Sequence, residues 1–265
     1  MAPIPAPPPT AAQQAVLKGT IAPYVLGFVA ETGIRLVPIP AGTFLLGSPE
    51  GEPGRAQDEG PQTRVTLTQD FFLGATPVTR AQWFAVMSNL PELFKGSFKG
   101  VNLAMDKVPW DKATAFCQKL TNGERTAGRL PAGWRFALPT EAQWEYACRA
   151  GTTGSYAGQP EAMAWSGANS GGTMPVVGAK MPNAWGLFDM HGNVFEWCRD
   201  WYGLYPGGEV TDPAGPAMGD MRIYRGGDWR TFVADGRSAF RGHVLSPPPD
   251  FAPGLRVALE PPAKE

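Results

Sequence analysis

The sequence predicts an α+β fold, rich in loops, with small twisted antiparallel sheets. Three observations carry this. Gly (33) and Pro (28) are abundant and interrupt any long helix or strand. Period-two apolar patterns gather between residues 34 and 74 and helical spacing between 80 and 148, so strands and helices are segregated rather than alternating as βαβ units. Nine Trp residues in a chain only 18% charged need burial, and they can anchor loops that lack regular structure.

Each element has a local cause. Residues 1–30 read as a Pro/Ala-rich tail and lead-in segment, with the short apolar stretch Ile21 to Ala30 packing on the domain that follows. Residues 34–47 alternate and break like two short strands joined by a turn. Ser48 to Gln62 is polar and Gly-rich, hence a loop. Thr63 to Thr68 alternates as a half-buried strand, and Phe71 to Thr79 follows as a strand and a turn. Thr79 caps a helix over 80–87. Ala113, Phe116, Cys117 and Leu120 share the face of a second helix over 110–120, with Asp111 near its start. Thr140 caps a third, where Glu141 favours the first turn and Trp144 and Cys148 share a face. After Gly151 regular structure nearly vanishes until residues 186–197.

Composition narrows the function. A net charge of −1 and a pI near 6.2 leave no electrostatic footprint for nucleic acid. No apolar run is long enough to span a bilayer. The N-terminus lacks the basic region of a secretory signal, so a cytoplasmic location is expected, with surface display by another route left open. Three cysteines, Cys117, Cys148 and Cys198, are an odd number without motif spacing, which suits a reducing compartment better than a disulfide framework.

Several segments follow one another in a specific order: Pro38-Ile-Pro-Ala-Gly-Thr-Phe44, Pro77-Val-Thr79, Leu138-Pro-Thr-Glu-Ala-Gln-Trp-Glu-Tyr146, Asn183 to Cys198, Arg225-Gly-Gly-Asp-Trp229, Arg237-Ser-Ala-Phe-Arg241 and Gly254-Leu-Arg256. In this the chain resembles the formylglycine-generating enzyme (sulfatase-modifying factor) family, whose fold is a variant of the C-type lectin fold. The resemblance implies one such domain over residues 31–265, with a C-terminal region over 225–258 open to variation.

The resemblance carries the fold further than the chemistry. The enzymes place two copper-binding cysteines after the Arg-Gly-Gly motif, and the matching run Asp228 to Gly236 has no thiol to select copper(I). Cys117 and Cys148 lie where relatives keep structural cysteines, so buried, inert thiols are expected. A related branch uses iron held by histidines. Here only His191 and His243 are present, and their separation and context argue against an iron site. Calcium is the metal the resemblance does imply, with Asp189 and Glu196 supplying carboxylates and Gly192 and Val194 supplying carbonyls.

Between the C-terminal landmarks lie two patternless blocks, Arg230 to Gly236 and Gly242 to Pro253. They contain no Lys, Glu, Gln, Met or Trp. Codons with a pyrimidine in the third position never encode those five residues. Asn codons mutated at their adenines yield this menu, the signature of variable proteins made by diversity-generating retroelements. The ligand-binding residues expected on this reading are Asp228, Arg230, Thr231, Phe232, Val233, Ala234, Asp235, Gly236, His243, Val244, Leu245, Ser246 and Phe251. They should converge on one exposed face, while Trp229, Arg237, Arg241 and Arg256 act as buried or hydrogen-bonded supports. The partner is then a protein or other macromolecule met by the variable surface. The alternatives are a metal-dependent oxidase or oxygenase of the same family and a catalytically dead structural or regulatory relative.

Overall fold

The computed structural model describes residues 33–88, 101–245 and 253–262. The N-terminal tail, the Ile21 to Ala30 stretch, Ser246 and Phe251 lie outside the described residues.

A four-stranded antiparallel sheet divides the core. Its order is β1 (Leu36–Ile39), β4 (Phe71–Gly74), β10 (Ala258–Glu260), β5 (Arg135–Ala137). All four residues of β4 are buried, because both faces of the sheet are covered. Side chains alternate accordingly. Phe72, Leu36, Phe136 and Leu259 pack with helices α1 (Arg80–Met87) and α2 (Trp110–Thr126). Phe71, Leu73, Val37 and Ile39 pack on the other side with α3 (Glu141–Arg149).

Two three-stranded sheets complete the framework. One holds β6 (Glu196–Trp201), β8 (Arg222–Arg225) and β9 (Gly242–Val244), all antiparallel. The other holds β2 (Gly42–Leu46), β3 (Thr63–Leu67) and β7 (Glu209–Thr211). One pair departs from the antiparallel pattern of the rest: β7 runs parallel to β3 with Val210 beside Val65. The chain reaches β7 only after α3 and β6, by a long crossover rather than a hairpin, and a crossover permits a parallel pair.

The helix starts follow their caps. Thr79 accepts the Gln82 amide at 3.2 Å while the Gln82 side chain accepts the Thr79 amide at 2.9 Å. Thr140 and Gln143 make the same reciprocal pair. Helix α2 runs past the expected Leu120 to Thr126. Its last turns are held from outside: Thr121 accepts the Phe136 amide at 2.9 Å, and Glu124 binds Arg129 at 2.8 Å. A fourth helix, α4, is the single turn Pro160–Met163. No helix among the described residues is long and apolar enough to cross a membrane.

Candidate ligand-binding surface

The C-terminal landmarks are ionic anchors. Arg225 donates to Glu141 at 3.0 Å, to Glu145, and to the Ser238 carbonyl at 2.7 Å. Arg241 grips Glu141 with two bonds, 2.7 and 2.8 Å, and donates to the Asp58 and Gly203 carbonyls. Arg237 reaches Glu52 at 2.7 Å and Glu59 at 2.8 and 2.5 Å. Arg149 binds the other oxygen of Glu145. Four guanidiniums thus meet the four carboxylates of Glu52, Glu59, Glu141 and Glu145, all of them buried. Burial pushes the Glu141 carboxyl upward, but Arg241 and Arg225 outweigh it and hold the group below its ordinary value. Glu141 is therefore more than the first-turn acid expected from sequence: it is the shared counter-ion of two landmarks.

These anchors frame the loop over residues 228–236, which contains the first block and ends in a 3₁₀ turn over Val233–Gly236. The scaffold holds this block through its main chain. The Gly167 amide donates to the Thr231 carbonyl at 2.9 Å, and the Tyr156 hydroxyl to the Val233 carbonyl at 2.9 Å. His191 Nδ1 donates to the Gly236 carbonyl at 2.8 Å. The Trp229 amide donates to Asn193 and the Ser238 amide to Ser155. Among the described residues, the side chains at 230 and 232–234 make no hydrogen bond to the scaffold outside the loop.

The residues expected to contact ligand divide into two groups. Arg230, Phe232, Val233 and Ala234 face outward, with Phe232 84% exposed. Asp228 does not: it is buried, and it accepts the Arg230 amide at 2.9 Å and the Arg230 guanidinium at 2.8 and 3.1 Å. Thr231 is half-buried and closes the same turn, accepting the Asp228 amide. Asp235 accepts the Phe232 amide and caps the 3₁₀ turn. Gly236 is buried, and a Cβ there would lie 2.6 Å from the His191 carbonyl oxygen. Asp228 and Gly236 are thus supports, a correction that follows from the tightness of the turn. Opposite Gly236, a Cβ on Gly227 would meet the Gly236 Cα at 2.9 Å, so the two backbones touch where they pass.

The second block is less free than expected. His243 is half-buried and stacks on Tyr202 with ring centroids 3.9 Å apart, its Nδ1 lying 3.9 Å from Asp58. Val244 is half-buried and packs against the core. Leu245 alone among the described residues of this block is largely exposed, at 70%. Both blocks border the Ser48 to Gln62 loop, Ala234 near Gly54 and His243 near Asp58. Of the supports, Arg237, Arg241 and Arg256 are buried as expected, while Trp229 is half-buried and carries the Arg230 guanidinium 5.2 Å above its ring.

Sequence reasoning missed Tyr156 and Gly167, which lie in the long stretch without regular structure, and gave Asn193 no role of its own inside its landmark segment. No local pattern marks a residue whose role is to meet a main chain distant in sequence.

The implied metals fit poorly. The run 228–236 carries no thiol, and the free thiols of Cys117, Cys148 and Cys198 are buried elsewhere, with burial pushing Cys148 up to about 12. That donor set does not suit copper. For calcium, one of the two expected carboxylates is already committed. Glu196 receives Arg256 on both oxygens, at 2.7 and 2.9 Å, and the Trp144 indole at 2.7 Å. A dication there would face a fully buried guanidinium. Asp189 accepts the Gly178 amide at 2.7 Å, burial pushes its carboxyl up to about 6, and its Oδ1 is buried without a hydrogen-bond partner. Among the described residues no group of three or more His, Cys, Asp or Glu side chains gathers as metal ligands. Millimolar calcium is expected to leave the melting temperature unchanged, and a rise on adding it would reinstate the site.

His191 is a structural pin. A carbonyl can only accept and an amide N–H can only donate, so Nδ1 carries the proton toward Gly236 while Nε2 accepts the Ala157 amide at 3.0 Å. Burial lowers its pKa to about 4, so the ring is neutral in the folded protein. In the unfolded chain it binds a proton near pH 6.5. Its stabilising contribution is therefore complete above about 6.5 and lost as pH falls toward 4. Denaturant midpoints measured across this window should fall more steeply for the native protein than for His191→Gln, and parallel curves would contradict the assignment.

Comparison with known proteins places these features. The family described as Sulfatase-modifying factor enzyme 1-like domain matches residues 29–261. Serine/threonine-protein kinase pkn1 of Chlamydia caviae is 34% identical over 221 residues, covering 78% of this chain and 35% of the kinase. Formylglycine-generating enzyme of Mus musculus is 30% identical over 263 residues, covering 74% of this chain and 66% of the enzyme. The chain thus spans about a third of the length of its chlamydial relative. Among solved structures, Treponema denticola variable protein 1 superposes with a TM-score of 0.72 and 29% identity, covering 86% of this chain and 95% of that one. The fold is the formylglycine-generating-enzyme variant of the C-type lectin fold. The chain belongs to the sulfatase-modifying factor family.

Proposed function

We propose that this chain is a non-enzymatic ligand-binding protein, a rigid lectin-type scaffold over residues 31–265 whose diversified surface lies within 228–253. The observation that carries the reading is how the first block is held. Scaffold groups bind its carbonyls at 231, 233 and 236 and leave the side chains of Arg230, Phe232, Val233 and Ala234 outside. A loop fixed by its backbone presents any side chain without a new ordering cost on binding. Similarity to a protein named for its variability supports the same reading.

The exposed aromatic and aliphatic side chains suit the apolar part of a macromolecular surface. Arg230 adds little charge, since Asp228 already neutralises it. Calcium, copper and iron have no part in the proposal, and neither does nucleic acid. Two measurements test it. Sequencing downstream of the gene should find a near-copy of its last codons, rich in AAC, beside a reverse transcriptase. A library varied at 230, 232–234 and 245 and selected against an unrelated protein should give binders whose affinity depends on those positions. Binders whose affinity survives reversion of all five positions would contradict the proposal, and oxygen consumption by the copper-treated protein would favour the enzyme instead.

A further inference from the structure

A cavity of about 280 Å³ opens between α3, the end of β6 and the loops 203–206 and 213–216, behind the ionic anchors. Its walls are apolar, with Leu46, Ala142, Pro206, Val210 and Pro213 among them. Three charged residues line it: Glu141, Asp200 and Arg241, which sum to one negative charge. Glu141 is accounted for, since Arg225, Arg241 and the Tyr205 hydroxyl all donate to it. Arg241 is likewise committed to Glu141 and to two carbonyls.

Asp200 is the group left over. It is 4% exposed, and its Oδ2 accepts the Glu141 amide at 2.9 Å. No other described residue donates a hydrogen bond to its Oδ1, and Asp200 lines the cavity. Arg199 and Arg222 act on it only electrostatically, with no hydrogen bond to it, and a buried carboxylate so weakly paired is costly. Burial, and next the nearby Glu141 charge, push Asp200 up to about 7. A cation brought to Oδ1 would relieve that cost, whereas an anion would add to it.

We propose that this cavity binds a small primary amine with an apolar body. The ammonium donates to Asp200 Oδ1 and the body lies against the proline and leucine walls. The site is separate from the loops at 230–234, so it stands or falls independently of the display reading.

Three probes of matched shape test it: cyclohexylamine, cyclohexanol and cyclohexanecarboxylate, titrated above neutral pH and followed by NMR chemical shifts. The amine should bind saturably and about tenfold more tightly than the alcohol, and the carboxylate not at all. Asp200→Asn keeps an acceptor for the Glu141 amide but removes the charge, and should bring the amine down to the alcohol's affinity. Ala214→Trp, at the exposed rim of the cavity, should abolish binding of both without disturbing the buried floor. Amine and carboxylate binding alike, no saturable amine binding, or amine affinity unchanged in the folded Asp200→Asn or Ala214→Trp variant would each overturn the proposal.

Discussion

Arg241→Ala is expected to destabilise the protein by about 3–5 kcal/mol, the cost of breaking a buried ion pair by removing one partner. Arg241 is 5% exposed, and its guanidinium makes two bonds to Glu141 and one each to the Asp58 and Gly203 carbonyls. Its loss leaves two carbonyls short of a donor and leaves Arg225 as the sole guanidinium on Glu141. The effect should show as a lower urea midpoint with an unchanged slope. A double variant, Arg241→Met with Glu141→Gln, should cost less than the sum of the two single changes, because it removes the stranded charge together with its partner. Full additivity would mean that the pair is not coupled in the way its geometry indicates.

Arg256→Met should be as severe, about 3–5 kcal/mol. Arg256 is fully buried and links elements distant in sequence: it binds Glu196 on β6, the Gly74 carbonyl on β4 and the Phe188 carbonyl. Removing it strands Glu196 with the Trp144 indole as its remaining donor. Among the described residues Arg256 hydrogen-bonds to neither variable block, so ligand binding by the folded fraction should be unaltered while the midpoint drops. Restoration of stability by calcium in this variant would show that Glu196 turns to metal once its guanidinium is gone.

What was legible in the chain follows the range of the interaction. Thr79 and Thr140 act within three residues, and both helix starts lie where the capping residues predict. Phe71, Phe72 and Leu73 alternate between the two faces of the sheet in the way their period requires. Pairing that spans the chain left no local trace. Glu52 and Glu59 sit in a segment that reads as a solvated loop, yet both are buried, because Arg237 reaches them from more than 170 residues away. The parallel partner of β3 was invisible for the same reason. In the candidate surface, the absence of pattern correctly marked residues 230 and 232–234 as facing outward. It could not separate them from Asp228, Asp235 and Gly236, whose residue types are equally common in free loops and in tight turns.

The central claim is that the scaffold holds the 228–236 loop by its main chain and leaves the outward side chains free. Thermal melting of a library randomised at Arg230, Phe232, Val233, Ala234 and Leu245 tests it most directly. The account predicts that most members fold with stabilities within about 0.5 kcal/mol of the parent. A parallel set randomised at Gly236 should fail for nearly every residue other than glycine, because any Cβ there collides with the His191 carbonyl. Widespread unfolding in the first library, or free tolerance at Gly236, would contradict the account.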